Sequence, residues 1–161
     1  MGLDMFLSKR SYVQNWDHNP KEKHYDIKIK LGGKPYAGIN PKRITHIIEE
    51  FAYWRKFNAL HIWFVDNVQN GVDNCGEYHV DHTDMEKLLQ TLEEVLANRD
   101  VLVDNEAHTK AKELLPTSSG FFFGGTEYDD YYYEQVEYTI GVLKEALADV
   151  GTGTYFYSSS W

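Results

Sequence analysis

The sequence predicts an α+β fold. One domain spans residues 1–161, with a long central helix and two or three further helices packed on a small antiparallel sheet that includes both termini. Three observations predict it. Residues 41–68 carry helical periodicity, short period-two segments lie near both ends, and 161 residues with 42% apolar content suffice for one core.

The elements follow in chain order. Residues 2–7 alternate Leu3, Met5 and Leu7 with Asp4 and Phe6, the pattern of a strand. Residues 11–16 read as a second, less regular strand, and 16–23 as a polar loop turning at Asn19-Pro20. Residues 25–31 give the clearest alternation, with Tyr25, Ile27, Ile29 and Leu31 against Asp26, Lys28 and Lys30. Gly32-Gly33 then makes a turn.

Residues 41–68 read as one helix opened by Pro41. At about 100° per residue, Ile44, Ile47, Ile48, Phe51, Ile62 and Val65 share one face. Tyr53, Phe57, Leu60 and Phe64 share a second, roughly opposite, so the helix is expected to be covered on two sides. Residues 77–80 read as a brief strand. Thr83 and Glu86 form a capping-box signature for a helix to about Ala97, with Met85, Leu88, Leu89, Leu92, Val95 and Leu96 on one stripe. A short helix over 106–115 stops at Pro116. A last helix over 129–150 is expected to bury Tyr132, Tyr133, Val136, Ile140, Leu143 and Leu147, and residues 154–157 read as a final strand pairing with the N-terminal one.

Four groups of residues carry chemistry. On the central helix, Arg55, Asn58 and Asp66 fall within an apolar face, with Trp54 and His61 at its edge. Arg55 suits a carboxylate or phosphate, His61 suits proton transfer, and Trp54 suits stacking on a ring. A satisfied polar network, with Arg55 paired to a carboxylate, is the structural alternative. The loops carrying Asp73, Asn74 and Cys75, and Thr126, Glu127, Tyr128 and Asp129, would complete a site if they converge on that helix. Cys75, His79 and His82 are zinc-ligand types, but their spacing matches no common zinc pattern, so no metal and no cofactor is expected. The run 121–133 joins Phe121, Phe122, Phe123, Tyr128 and Tyr131 to Asp129 and Asp130. Three consecutive Phe cannot all point one way, and Phe and Tyr beside carboxylates suit a protein partner.

The remaining signals narrow the class. The net charge of −9 argues against direct nucleic-acid binding. The single cysteine excludes an internal disulfide and fits a cytoplasmic setting. Neither a signal-peptide pattern nor a run of about 18 apolar residues occurs, so a membrane partner is not expected. No P-loop, dinucleotide fingerprint, G-x-S-x-G or H-E-x-x-H motif occurs, and the residues name no reaction.

The opening MGLDMFL, the stretch YWRKFNALHIWFVDN, the DNC turn and LLPTSSGFFFGGTEYDDYY together resemble a group of small uncharacterised proteins encoded by phages and prophages. The likeness runs from Met1 to about Leu147. It carries over no catalytic residue. It implies expression in an infected host cell and a host protein, such as a defence effector, as partner. Two functional expectations result. One is a binding protein acting by occupancy through Phe121, Phe122, Phe123, Tyr128, Asp129 and Tyr131. The other is a pocket for a small anionic, nucleotide-like ligand formed by Trp54, Arg55, Asn58, His61, Asp73, Asn74 and Glu127.

Overall fold

Strand β1 (Asp4–Tyr12) is an inner strand of the main sheet, paired on one side with residues 46–55 and on the other with the C-terminal strand. The computed structural model describes residues 2–151 and 153–161. After β1, a short hairpin pairs β2 (Lys30–Leu31) with β3 (Lys34–Pro35). Then come β4 (His46–Arg55), α1 (Asn58–Asn67), β5 (Glu77–Val80), α2 (His82–Ala97), α3 (Thr109–Leu114), α4 (Asp130–Ala148) and β6 (Thr154–Ser160). The main sheet has the order β4-β1-β6-β5, antiparallel throughout. The α+β class and the sheet uniting both terminal strands are as expected.

Alternation along the strands explains how the layers form. Leu3, Met5 and Leu7 are buried, as are Ala52 and Trp54 of β4 and Tyr155 and Tyr157 of β6. They meet Leu60 and Phe64 of α1, Leu88 and Leu92 of α2, and Tyr133, Val136 and Leu143 of α4 in one core. The Phe64 ring stacks on Tyr157 at 3.9 Å. The opposite side of each strand carries Phe6, Tyr53 and Phe156, which are half-buried or exposed. No helix among the described residues is long and apolar enough to cross a membrane.

The expected helix over 41–68 is instead a short turn, a strand and a shorter helix. A 3-10 turn (Pro41–Arg43) precedes β4, and only Asn58–Asn67 is helical. Ile47, Ile48, Phe51, Tyr53 and Trp54 are β-branched or aromatic and fit a pleated surface beside β1. The same residues satisfy a helical period, so periodicity alone chose wrongly. Lys56, at φ 56°, separates strand from helix, because a left-handed residue cannot continue a right-handed helix. Phe51 is the extra residue at a bulge between Leu7/Ala52 and Ser8/Glu50, and it packs edge-on against Tyr155.

Smaller differences follow the same logic. The two expected N-terminal strands are one, because β4 and β6 flank β1 without a break. The expected strand over 25–31 shrinks to the two residues of β2, since only β3 lies beside it. The N-cap of α2 is Asp81, not Thr83, with Asp84 completing the capping box. Asp129 caps α4 by accepting from Tyr132 N at 3.0 Å.

One clamp ties β1 to the end of α4. Lys9 Nζ lies 2.6 Å from Asp149 Oδ2, and Asp149 also accepts from Gly151 N and Tyr155 Oη, each at 2.9 Å. Lys9 first, then the other two donors, lower the Asp149 pKa from 3.8 to about 2. A folded value below the unfolded one gives stability that is present above the unfolded pKa and lost as pH falls through the folded one. Asp149→Asn is therefore expected to flatten the loss of thermal stability between pH 3.8 and about 2. A melting series in which wild type and variant fall in parallel would contradict this role.

Candidate functional site

The polar residues predicted as one constellation divide into two, on either side of the start of α1. The first is sealed. His61 is fully buried. Its Nδ1 lies 2.8 Å from Tyr157 Oη and its Nε2 lies 3.0 Å from Asp73 Oδ2. Burial raises the Tyr157 pKa well above its usual value, so the hydroxyl stays protonated in its hydrogen bond with Nδ1. A carboxylate only accepts, so the His61 Nε2–H donates to Asp73. Trp161 Nε1 donates to the other Asp73 oxygen at 3.2 Å. The ring edge of Phe123 closes over the imidazole at 5.3 Å. Both ring nitrogens are engaged within the protein, which gives His61 an architectural place between α1, β6 and the 70–76 turn.

The second constellation is open. Asn58 is 2% exposed and uses its whole amide. Nδ2 donates to the carbonyls of Phe123 at 3.0 Å and Gly125 at 2.8 Å, and Oδ1 accepts from Ser118 N at 2.8 Å. Leu3 N donates to Phe122 O at 2.9 Å. Gly124, at φ +89°, passes so close to Lys56 that an added Cβ would lie 2.9 Å from the Lys56 Cβ. The loop over 117–129 is thus fixed from several sides. Beside it lies a cavity of about 260 Å³, bordered by Arg55, Lys56, Asn58, Glu127, Asp129 and Tyr131. Two cationic and two anionic side chains make its rim close to neutral. Burial raises the Tyr131 pKa, and its protonated hydroxyl donates to Arg55 O.

The placement of each predicted residue corrects part of the expectation. Trp54 is a core residue, 1% exposed, donating to Thr139 Oγ1 at 2.9 Å, so it offers no ring for stacking. Arg55 is exposed at the end of β4, not on a buried helix stripe. Asp73 does reach His61, whereas Glu127 and Asp129 join Arg55 and Asn58; the two loops do not meet in one pocket. Asn74 accepts from Gly76 N and Tyr78 Oη within its own turn, each at 2.9 Å. Asp66 is exposed near the end of α1. Tyr128 packs on the core and its hydroxyl accepts from Thr117 N at 3.2 Å. Phe123 also packs inward, while Phe121 is 97% exposed. His79 lies against Phe156, and His82 faces Glu86. Among the described residues, no group of three or more His, Cys, Asp or Glu side chains is placed to hold a metal ion.

Sequence reasoning missed Tyr157, Trp161, Ser118 and Lys56. The inward alternation of β6 marks Tyr157 as a buried hydroxyl needing a partner, a signal present in the sequence. The other three are brought in only by loop geometry.

Since Arg55 is exposed, Arg55→Ala is expected to change stability by no more than about 0.5 kcal/mol, against the several kcal/mol of a buried ion pair. Urea unfolding of the variant checks this, and a loss above about 2 kcal/mol would restore the buried-pair reading.

In comparisons with known proteins, the chain matches no family model, no curated protein and no solved structure.

Proposed function

We propose that the protein acts by occupancy, docking Phe121 and Phe122 into an apolar pocket of a partner protein. The observation that carries this reading is the 97% exposure of Phe121 on a loop clamped by the buried Asn58. A large apolar side chain in water is unfavourable, and burying it on a partner contributes about 2–3 kcal/mol. Because the loop is already fixed, little conformational entropy is lost on docking. Glu127, Asp129 and Asp130 follow Phe121 on the same segment and suit a partner with basic residues around its pocket. The resemblance to phage-encoded proteins supports a host-cell protein as that partner, and a defence effector as its class. The setting would then be the host cytoplasm.

The test is affinity capture from host extract with wild type and the Phe121→Ser/Phe122→Ser variant. One host protein retained stoichiometrically by wild type, and reduced about tenfold or more by the variant at unchanged melting temperature, is expected for an aromatic anchor. Equal retention by both proteins would refute the proposal.

The cavity itself favours a second reading, a small anionic ligand held by Arg55 and Lys56. Its volume lies just below the usual range of ligand sites, and Glu127 and Asp129 oppose an anion there. His61 belongs to neither version, because it does not border the cavity. Native mass spectrometry before and after denaturation checks it: a small mass released on unfolding, and absent from Arg55→Ala, supports the ligand.

A further inference from the structure

Residues 14–45, between β1 and β4, form an arm with an unusual balance of surface. From Gln14 to Glu50 no side chain is buried. The backbone is nevertheless defined by the β2–β3 pairing, by Tyr36 N donating to Ile29 O, and by Asn15 bonding both Tyr25 N and Tyr25 O. Large apolar groups stand in water along the arm and its base. Leu31 is 67% and Ile48 61% exposed, and Trp16, Tyr25, Ile39 and Ile47 are all exposed. The chain as a whole exposes 10178 Å², whereas a compact monomer of 18.7 kDa exposes about 8,300 Å². The excess, roughly 1,900 Å², is more than twice the 800 Å² that each partner contributes to an ordinary stable interface.

Charge says what covers it. Residues 14–45 hold seven Lys and Arg against three Asp and Glu, while the rest of the chain holds nine against twenty-two. The arm is basic and the body strongly acidic, so each copy carries both halves of a complementary pair. Strand β4, continuous with the arm, is also a ten-residue sheet edge with Ile47 and Ile48 exposed. Such an edge is normally paired or covered. Polyanionic nucleic acid would satisfy the lysines but would leave Leu31, Ile39, Ile47 and Ile48 in water.

We propose that the arm is a self-association surface, and that two copies form a closed pair in which the basic arm of each lies on the acidic body of the other. A two-fold axis uses both complementary surfaces twice and leaves neither open to a third copy.

The experiment is sedimentation of the wild-type protein at micromolar concentration, with carbodiimide coupling of a mixture of isotopically light and heavy protein. A mass of twice 18.7 kDa is expected, with mixed-isotope cross-links joining arm lysines to body carboxylates. The variant Lys30→Glu/Leu31→Ser/Lys34→Glu alters only exposed residues and is expected to sediment as a single chain with unchanged circular dichroism. A single-chain mass for wild type overturns the proposal, as does a pair that the triple variant leaves intact. A monomer that binds a fluorescent single-stranded oligonucleotide, and loses it in the triple variant, overturns it in favour of nucleic acid. None of these readouts involves Phe121, so the proposed partner site stands or falls separately.

Discussion

His61→Ala is expected to cost about 3–4 kcal/mol of folding stability, the largest loss of any single polar substitution in this chain. Three losses combine. The fully buried imidazole leaves a void against Phe123 and Phe64's partner Tyr157. The Tyr157 hydroxyl, on a fully buried residue, loses its His61 hydrogen-bond partner. Asp73 loses the Nε2–H donor and keeps only Trp161. For a chain of this size the melting temperature should fall by roughly 10 °C. His61→Gln, whose amide can still donate toward Asp73, should recover part of the loss. Urea unfolding followed by tryptophan emission measures both. A loss below about 1 kcal/mol would show that water replaces the ring without penalty.

Asn58→Leu is expected to cost about 2–3 kcal/mol and to free the loop over 117–129. The substitution keeps side-chain size but removes three hydrogen bonds at once, stranding the Phe123 and Gly125 carbonyls and the Ser118 amide. Some of these groups rehydrate at the surface, which keeps the cost below that of three buried losses. The local effect should exceed the global one. Hydrogen exchange at the Ser118 amide is expected to accelerate far more than exchange in β1, and partner capture through Phe121 should weaken. Asn58→Asp should be worse for the loop, since a carboxylate repels both carbonyls while still accepting from Ser118. Unchanged Ser118 protection in Asn58→Leu would mean that the Leu3 N to Phe122 O bond and the Lys56 contact hold the loop alone.

These two side chains also show what was legible in the sequence. Both were singled out as polar groups within an apolar pattern, and both are buried. Their partners were not legible, because Tyr157 and Trp161 lie about a hundred residues downstream and Ser118 about sixty. Trp54 and Arg55 were grouped with them on the assumption of one helix. In a strand, neighbours point to opposite faces, so Trp54 went into the core and Arg55 into water. The segment over 44–55 holds enough Ile, Phe, Tyr and Trp to satisfy either period. Pairing with β1 decides it, since β1 needs a hydrogen-bonded neighbour on each side and β6 supplies only one.

The α+β class, the amphipathic helices α2 and α4, the joining of the two terminal strands, and the fact that three consecutive phenylalanines cannot all point inward are legible from the residues alone. Each is a local pattern or a count, and local patterns survive without knowledge of neighbours. Long-range packing, by contrast, makes residues 46–55 a strand, buries His61 while leaving Arg55 open, and holds residues 14–45 away from the core. Those outcomes depend on which distant backbone and side chains are within reach, and a linear sequence holds that information only through the fold.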